Sequence, residues 1–200
     1  MNTPIRPAAT LADVDAAVEI LVDAFYDDPA WSFGFPDPAK RREQQGWFWR
    51  HCALESFEHS TLYLATNGAA AAVWQPPGVF EGGDPDEFAA EARSVLGSDA
   101  LRFLRAVERF EANQPRDEQY YYLSLLGTRT SQLGHGYGLG LLAATLEIVD
   151  DAGMPAYLEA SHIENIPLYE RFGFAVRGGF EMPDDGPHVA TMWREAVTSH

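Results

Sequence analysis

One cysteine, Cys52, stands among 200 residues. A single thiol excludes an intramolecular disulfide framework and any zinc site built from several cysteines. Its aromatic, helix-favouring surroundings mark Cys52 as a buried structural thiol rather than a nucleophile. Long apolar runs are missing too. None reaches the roughly 20 residues of a membrane-crossing helix, and Met1 to Arg6 holds no apolar run, so a soluble, cytoplasmic protein is expected. Positive charge is scarce: 14 Lys and Arg stand against 30 Asp and Glu, a net charge of −16. That balance opposes nucleic acid and anionic membranes as partners and favours cations, although solubility is its simplest use. The chain has no internal repeat and no low-complexity tract. Its six histidines show no His-Glu-x-x-His pattern, so no metal site is expected.

What is present suits a single folded domain over residues 1–200. Hydrophobic residues make up 46% and aromatics 12%, enough for a substantial core. Ile5 to Ala8 predicts a short strand. Thr10 caps a helix carrying Leu11, Val14, Ala17, Val18, Leu21 and Phe25. Asp28-Pro29 to Asp37-Pro38 reads as an aromatic-rich loop, and a helix from Ala39 to about Glu58 follows. Thr61–Thr66 and Ala69–Gln75 flank Asn67-Gly68, a strong hairpin signal. Residues 79–118 are acidic and helix-favouring, an insertion-like region edged by Gly82-Gly83 and Gln114-Pro115. Beyond it come a strand (Tyr120–Thr128), a helix (Gly138–Ala152), a strand (Ala156–Ala160) and a short helix (Asn165–Phe172). Two last strands span Phe174–Phe180 and Val189–Arg194. This order gives a mixed α/β sheet flanked by helices.

The chemistry is concentrated in Leu133-Gly134-His135-Gly136-Tyr137-Gly138-Leu139-Gly140, between a strand and a helix. A backbone without side chains at a helix start lets N–H groups close on an anion, and phosphate is the natural ligand. Three designs compete. A P-loop requires Gly-Lys-Ser/Thr, and Gly138 is followed by Leu139-Gly140. A dinucleotide fingerprint requires glycines at first, third and sixth positions, a spacing that 134, 136, 138 and 140 never produce, even though Glu159 imitates its ribose-binding acid. The third fits over a longer span of the chain. Ser124 and Ser131 lack the context of a hydrolase nucleophile.

Three segments share one register: the loop with its helix, Tyr157-Leu158-Glu159-Ala160-Ser161, and Asn165-Ile166-Pro167-Leu168-Tyr169-Glu170-Arg171-Phe172-Gly173-Phe174. Together they resemble the GCN5-related N-acetyltransferase superfamily, nearest its puromycin N-acetyltransferase-like small-molecule branch. Val73-Trp74-Gln75-Pro76-Pro77-Gly78 is also similar to that branch. The resemblance is specific over residues 120–180 and rests on element order before them. It implies a mixed, mostly antiparallel central sheet flanked by helices. It also implies acetyl-coenzyme A as acetyl donor, a primary amine of a small molecule as acceptor, and direct attack in a ternary complex. A monomer or homodimer is expected.

The resemblance assigns the cofactor site to Leu126, Gly127 and Thr128 at the end of the strand. To these it adds Leu133, Gly134, His135, Gly136, Tyr137 and Gly138 of the loop, with Asn165 and Tyr169. Leu133 replaces the family's usual Gln or Arg, and Gly140 is structural. Tyr169 falls on the tyrosine that donates a proton to the departing sulfur. Asn165 either contacts the cofactor or caps its helix. The family's base, a Glu or His on the strand before the loop, is replaced: Tyr122 holds one common position, and Ser124 continues the alternate face. Glu118, Glu159 or ordered water is left to take the proton. Trp31, Phe33, Phe35, Trp47 and Trp49 are candidates for the acceptor pocket or the core. The alternative, kept alive by Leu133 and the missing strand carboxylate, is a non-catalytic module that senses acyl-coenzyme A.

Overall fold

The computed structural model describes residues 4–79 and 84–197. Gly82-Gly83, one expected edge of the helical insertion, lies outside the described residues. β1 (Ile5–Pro7) leads into α1 (Leu11–Phe25). The Thr10 hydroxyl accepts from the Asp13 N–H, and the Asp13 carboxylate accepts from the Thr10 N–H at 3.0 Å, a closed capping box. Val14, Ala17, Ile20 and Leu21 are fully buried along one face of the helix.

The expected loop after α1 contains a short helix, α2 (Pro29–Gly34). The aromatic and proline content pointed to a loop, but the local chemistry favours a helix start. Asp28 accepts from the Trp31 N–H at 3.1 Å, and Pro29 takes the first helical position, where no N–H is needed. α3 (Arg41–Glu58) follows. β2 (Leu62–Ala65) and β3 (Ala70–Gln75) then form the expected hairpin, with Gly68 at φ +69°. The acidic stretch is two helices, α4 (Pro85–Leu96) and α5 (Ala100–Asn113), parted by Gly97 at φ +58°. The second half runs β4 (Tyr121–Thr128), α6 (Tyr137–Asp151), β5 (Ala156–Ala160), α7 (Ile166–Glu170), β6 (Ala175–Glu181) and β7 (His188–Arg194).

Seven strands form one sheet in the order β1-β2-β3-β4-β5-β7-β6. Every neighbouring pair is antiparallel except β4 and β5, which α6 connects as a parallel crossover. One face, with Leu62, Leu64, Ala71, Val73 and Leu125, packs against α1–α5 and a dense aromatic layer. Trp31 stacks on Phe110 and meets Trp49 edge-on within that layer. The other face, with Ala70, Ala72, Leu123 and Leu158, is covered by Leu141, Leu142, Leu146 and Val149 of α6. Among the described residues no helix is long and apolar enough to cross a membrane.

Two irregularities position the site. β4 and β5 pair only through Tyr121↔Ala156, Tyr122↔Tyr157 and Leu123↔Leu158, then diverge. Against β3, Val73 pairs with Leu125 and Trp74 with Leu123, which leaves Ser124 bulged out of register. Such a bulge bends its strand, and bulges gather beside active sites. Beyond Leu123, the β4 edge facing β5 therefore has no strand to bond.

Candidate active site

The divergence of β4 and β5 opens a cleft of about 1640 Å³ that runs from the acidic helices through the sheet to the glycine loop. Its size exceeds the ~300–1,000 Å³ of ordinary small-molecule pockets and leaves room for two reactants.

On the α6 side the loop is held by its flanks. The Asp23 carboxylate accepts from the Thr130 N–H at 2.6 Å and its hydroxyl at 2.9 Å, and Arg129 Nε donates to the Gly68 carbonyl at 3.1 Å. Gly134 and Gly136 have φ +79° and +78°, and a Cβ on either would meet nothing within 4 Å. Gly136 is the N-cap of α6, so the first N–H groups of a 15-residue helix open beside the loop. Gly138 serves a different purpose: a Cβ there would collide with the Thr128 hydroxyl. Likewise, a Cβ on Gly127 would come within 2.9 Å of the Ala24 Cβ, so this glycine lets α1 close on β4. Both glycines thus set the packing around the cleft while their backbone lines it.

Leu126, Gly127, Thr128, Leu133, Gly134, Gly136, Tyr137 and Gly138 all line the cleft, as do Asn165 and Tyr169. His135 does not. Its Nδ1 approaches the Leu133 carbonyl at 3.1 Å and the Gln132 carbonyl at 3.3 Å, and its ring stacks on Tyr137. Asn165 precedes α7 but makes no side-chain cap hydrogen bond, so its amide is not spent on capping. α7 itself is fixed by Arg194, which donates from Nε to the Phe172 carbonyl at 2.8 Å and grips Asp150 with both terminal nitrogens.

Tyr169 sits on that helix against Phe174. Burial, then the nearby Asp28 charge, pushes its phenol up to about 12, so it stays protonated at physiological pH. Glu159 projects from β5 one residue beyond the last β4–β5 pair, where the strands part. Burial raises its carboxyl to about 7, against the opposing effect of hydrogen bonds from Tyr122 and Tyr157. One of its oxygens, Oε1, is shielded from solvent and has no hydrogen-bond partner. Glu118 lies at the exposed rim and pairs with Arg177 at 2.7 Å.

The sequence reading missed Asp28. It is 8% exposed and lines the same cleft. Its Oδ2 accepts from the Ser161 hydroxyl at 2.7 Å, across 133 residues of sequence. Burial raises its carboxyl, with the Ser161 and Trp31 hydrogen bonds opposing. Asp-Pro looked like a turn, and nothing local signals a contact so distant. Of the aromatic candidates, Trp31 and Trp49 line the cleft, Phe35 is fully buried in the core, and Phe33 and Trp47 pack partly buried against it.

A mixed sheet parted between parallel strands, with a glycine loop at a helix start beside the gap, is the acetyltransferase architecture that the sequence resemblance implied. No family model matches the chain. An N-acetyltransferase described as uncharacterized, from Schizosaccharomyces pombe, is 28% identical over 88% of this chain and 76% of its own length. A Corynebacterium glutamicum structure described as histone acetyltransferase HPA2 and related acetyltransferase is 25% identical. It covers 100% of this chain and 99% of its own, with a TM-score of 0.72. A Drosophila melanogaster polyamine N-acetyltransferase shares the fold at 17% identity, covering 96% of this chain and 99% of its own, with a TM-score of 0.66. The chain shares the fold of these acetyltransferases over nearly its whole length and is an N-acetyltransferase.

Proposed function

We propose that this protein moves an acetyl group from acetyl-coenzyme A to a primary amine of a small cationic molecule, by direct attack within a ternary complex. The observation that carries the acceptor class is the charge of the cleft. Asp28, Glu55, Glu87, Glu108, Glu111 and Glu159 line it, and none forms an ion pair with Lys or Arg among the described residues. Among the described residues Arg116 is the only Lys or Arg in the lining. Glu55 and Glu111 are both raised by burial, and Glu111 also by the charge of Glu108, so a bound cation would relieve a standing cost. The Drosophila neighbour is described as forming N-acetylagmatine, which agrees with this reading.

The residues present suit the donor. The unpaired β4 edge at Leu126–Thr128 offers backbone groups to an extended pantetheine arm, and the α6 N-terminus with the left-handed Gly134 and Gly136 suits a pyrophosphate. When bound, acetyl-coenzyme A supplies the acetyl group as a thioester. Ionised Glu159 takes a proton from the amine, whose nitrogen then bonds the acetyl carbon. As the carbon–sulfur bond breaks, Tyr169 gives its hydroxyl proton to the sulfur, and the acylated nitrogen returns its surplus proton to the phenolate so formed, leaving a neutral amide and a free thiol. Glu118 is held by Arg177 at the rim and serves no step.

The test is thiol release from acetyl-coenzyme A with α,ω-diaminoalkanes and with monoamines of equal carbon number. Diamines should exceed monoamines in kcat/KM by about tenfold, with the gap narrowing as salt rises. Equal rates would refute the cationic acceptor. Tight donor binding with no acceptor-dependent release would favour the sensing module instead. Tyr169→Phe should lower kcat by roughly 10–100-fold at nearly unchanged donor affinity, as expected when a proton donor is removed. Unchanged turnover where chemistry limits the rate would strip Tyr169 of its role.

A further inference from the structure

We propose that Tyr122 is a positioning residue for Glu159, presenting its phenol to the carboxylate and aiming it at the amine that enters where β4 and β5 part. The inference rests on Glu159 acting as the base. Tyr122 stands at a β4 position where the family often places that base, and a neutral phenol cannot do the work. In this chain the buried carboxylate stands on β5, and Tyr122 is its partner.

The register makes this possible. Tyr122 lies directly opposite Tyr157 in the parallel pair, and Glu159 is two residues beyond Tyr157 on the same face of β5. The Tyr122 and Tyr157 rings lie 5.7 Å apart, the Tyr120 and Tyr157 rings 5.3 Å, and all three tyrosines are buried. Tyr157 has one hydroxyl proton and two acceptors in reach, the Asn113 carbonyl at 3.3 Å and Glu159. Tyr122 and Tyr157 both donate to Glu159, and Tyr157 shares its proton with the Asn113 carbonyl. The titratable groups facing this cluster are Tyr120 just before β4, Tyr122 of β4, Tyr157 of β5, Cys52 of α3 toward Tyr122, and Glu118 toward Tyr120. No cation pairs with Glu159 among the described residues, so the phenols are what steady its ionised form.

Removing a donor to the charged form must raise the carboxyl further. In Tyr122→Phe, a carbon-13 NMR titration of Glu159 in the substrate-free protein should move its midpoint up by about one pH unit. The acid limb of kcat/KM should shift upward by the same amount, so that the loss of activity is larger on the acid side of the limb than on its plateau. Fluorotyrosine at position 122 keeps the ring shape and donates more strongly, so it should move both quantities down. It decides the matter if the phenylalanine variant does not fold. An unmoved NMR midpoint overturns the proposal. A moved midpoint with an unmoved acid limb overturns the base reading instead, and with it any role of Tyr122 in transfer. A merely structural tyrosine would lower activity equally at every pH.

Discussion

Glu159→Gln should lower kcat/KM by roughly 10²–10⁴-fold, the span that a positioned general base contributes. The variant keeps the shape of the side chain and removes only the group that accepts the proton. In the wild type, burial holds the carboxyl near 7, so the reactive, ionised form accumulates as pH rises through about 7. The wild-type rate should therefore climb through that region, and the variant should lack the climb. Stability supplies the control, with its sign fixed by the same shift. A carboxyl raised by burial binds its proton more tightly in the folded chain than in the unfolded one, so the stability this confers is lost as pH rises through about 7. Above that pH the wild type buries a charge and the variant does not. Glu159→Gln should accordingly unfold no earlier than the wild type at slightly alkaline pH. A surviving acid limb in the variant would assign the proton to another group, with Asp28 the next buried carboxylate in the cleft.

Gly136→Val should weaken acetyl-coenzyme A binding by about tenfold or more, read by calorimetry, with the fold retained. The reason is conformational. Gly136 sits at φ +78° as the N-cap of α6, and no atom lies within 4 Å of where a Cβ would stand. A β-branched residue pays for that backbone geometry or abandons it, and abandoning it turns the loop N–H groups away from the helix axis. Gly136→Ala should show the same defect in milder form. Wild-type affinity in the valine variant would mean that the donor does not use this loop. Gly138→Ala should act differently, by pressing on the Thr128 hydroxyl and loosening α6 from β4, and so should lower stability as well as affinity.

The loop was legible because its signal is local. Glycines in one short run, a strand before and an amphipathic helix after are all read from neighbours in sequence, and the fold places them as expected. The same holds for the Thr10 cap, the Asn67-Gly68 hairpin and β5, whose limits match the expected ones. Asp28 failed that test. Its partner, Ser161, belongs to another element, and a bond across so much sequence leaves no trace in composition or period. Glu118 and Glu159 looked alike as candidate bases. One turned out to be an exposed rim residue paired with Arg177, the other a shielded side chain at the point where two strands separate.

Residue type and spacing alone carried the superfamily resemblance and singled out the glycine loop and Tyr169 as candidates, because each signal lies within a few residues. Burial, charge neighbours and the parting of β4 from β5 exist only after the chain has folded, and these set the two candidate carboxylates apart, Glu159 buried in the cleft and Glu118 exposed beside Arg177. They also turned the alternating glycines into two kinds. Gly134 and Gly136 are there for their left-handed backbone, and Gly127 and Gly138 for the close approach of α1 and of the β4 end. The net charge of −16 was visible from the start. Only the tertiary structure gathered around one cleft several carboxylates that have no Lys or Arg partner among the described residues, because electrostatic fields act through space and not along the chain.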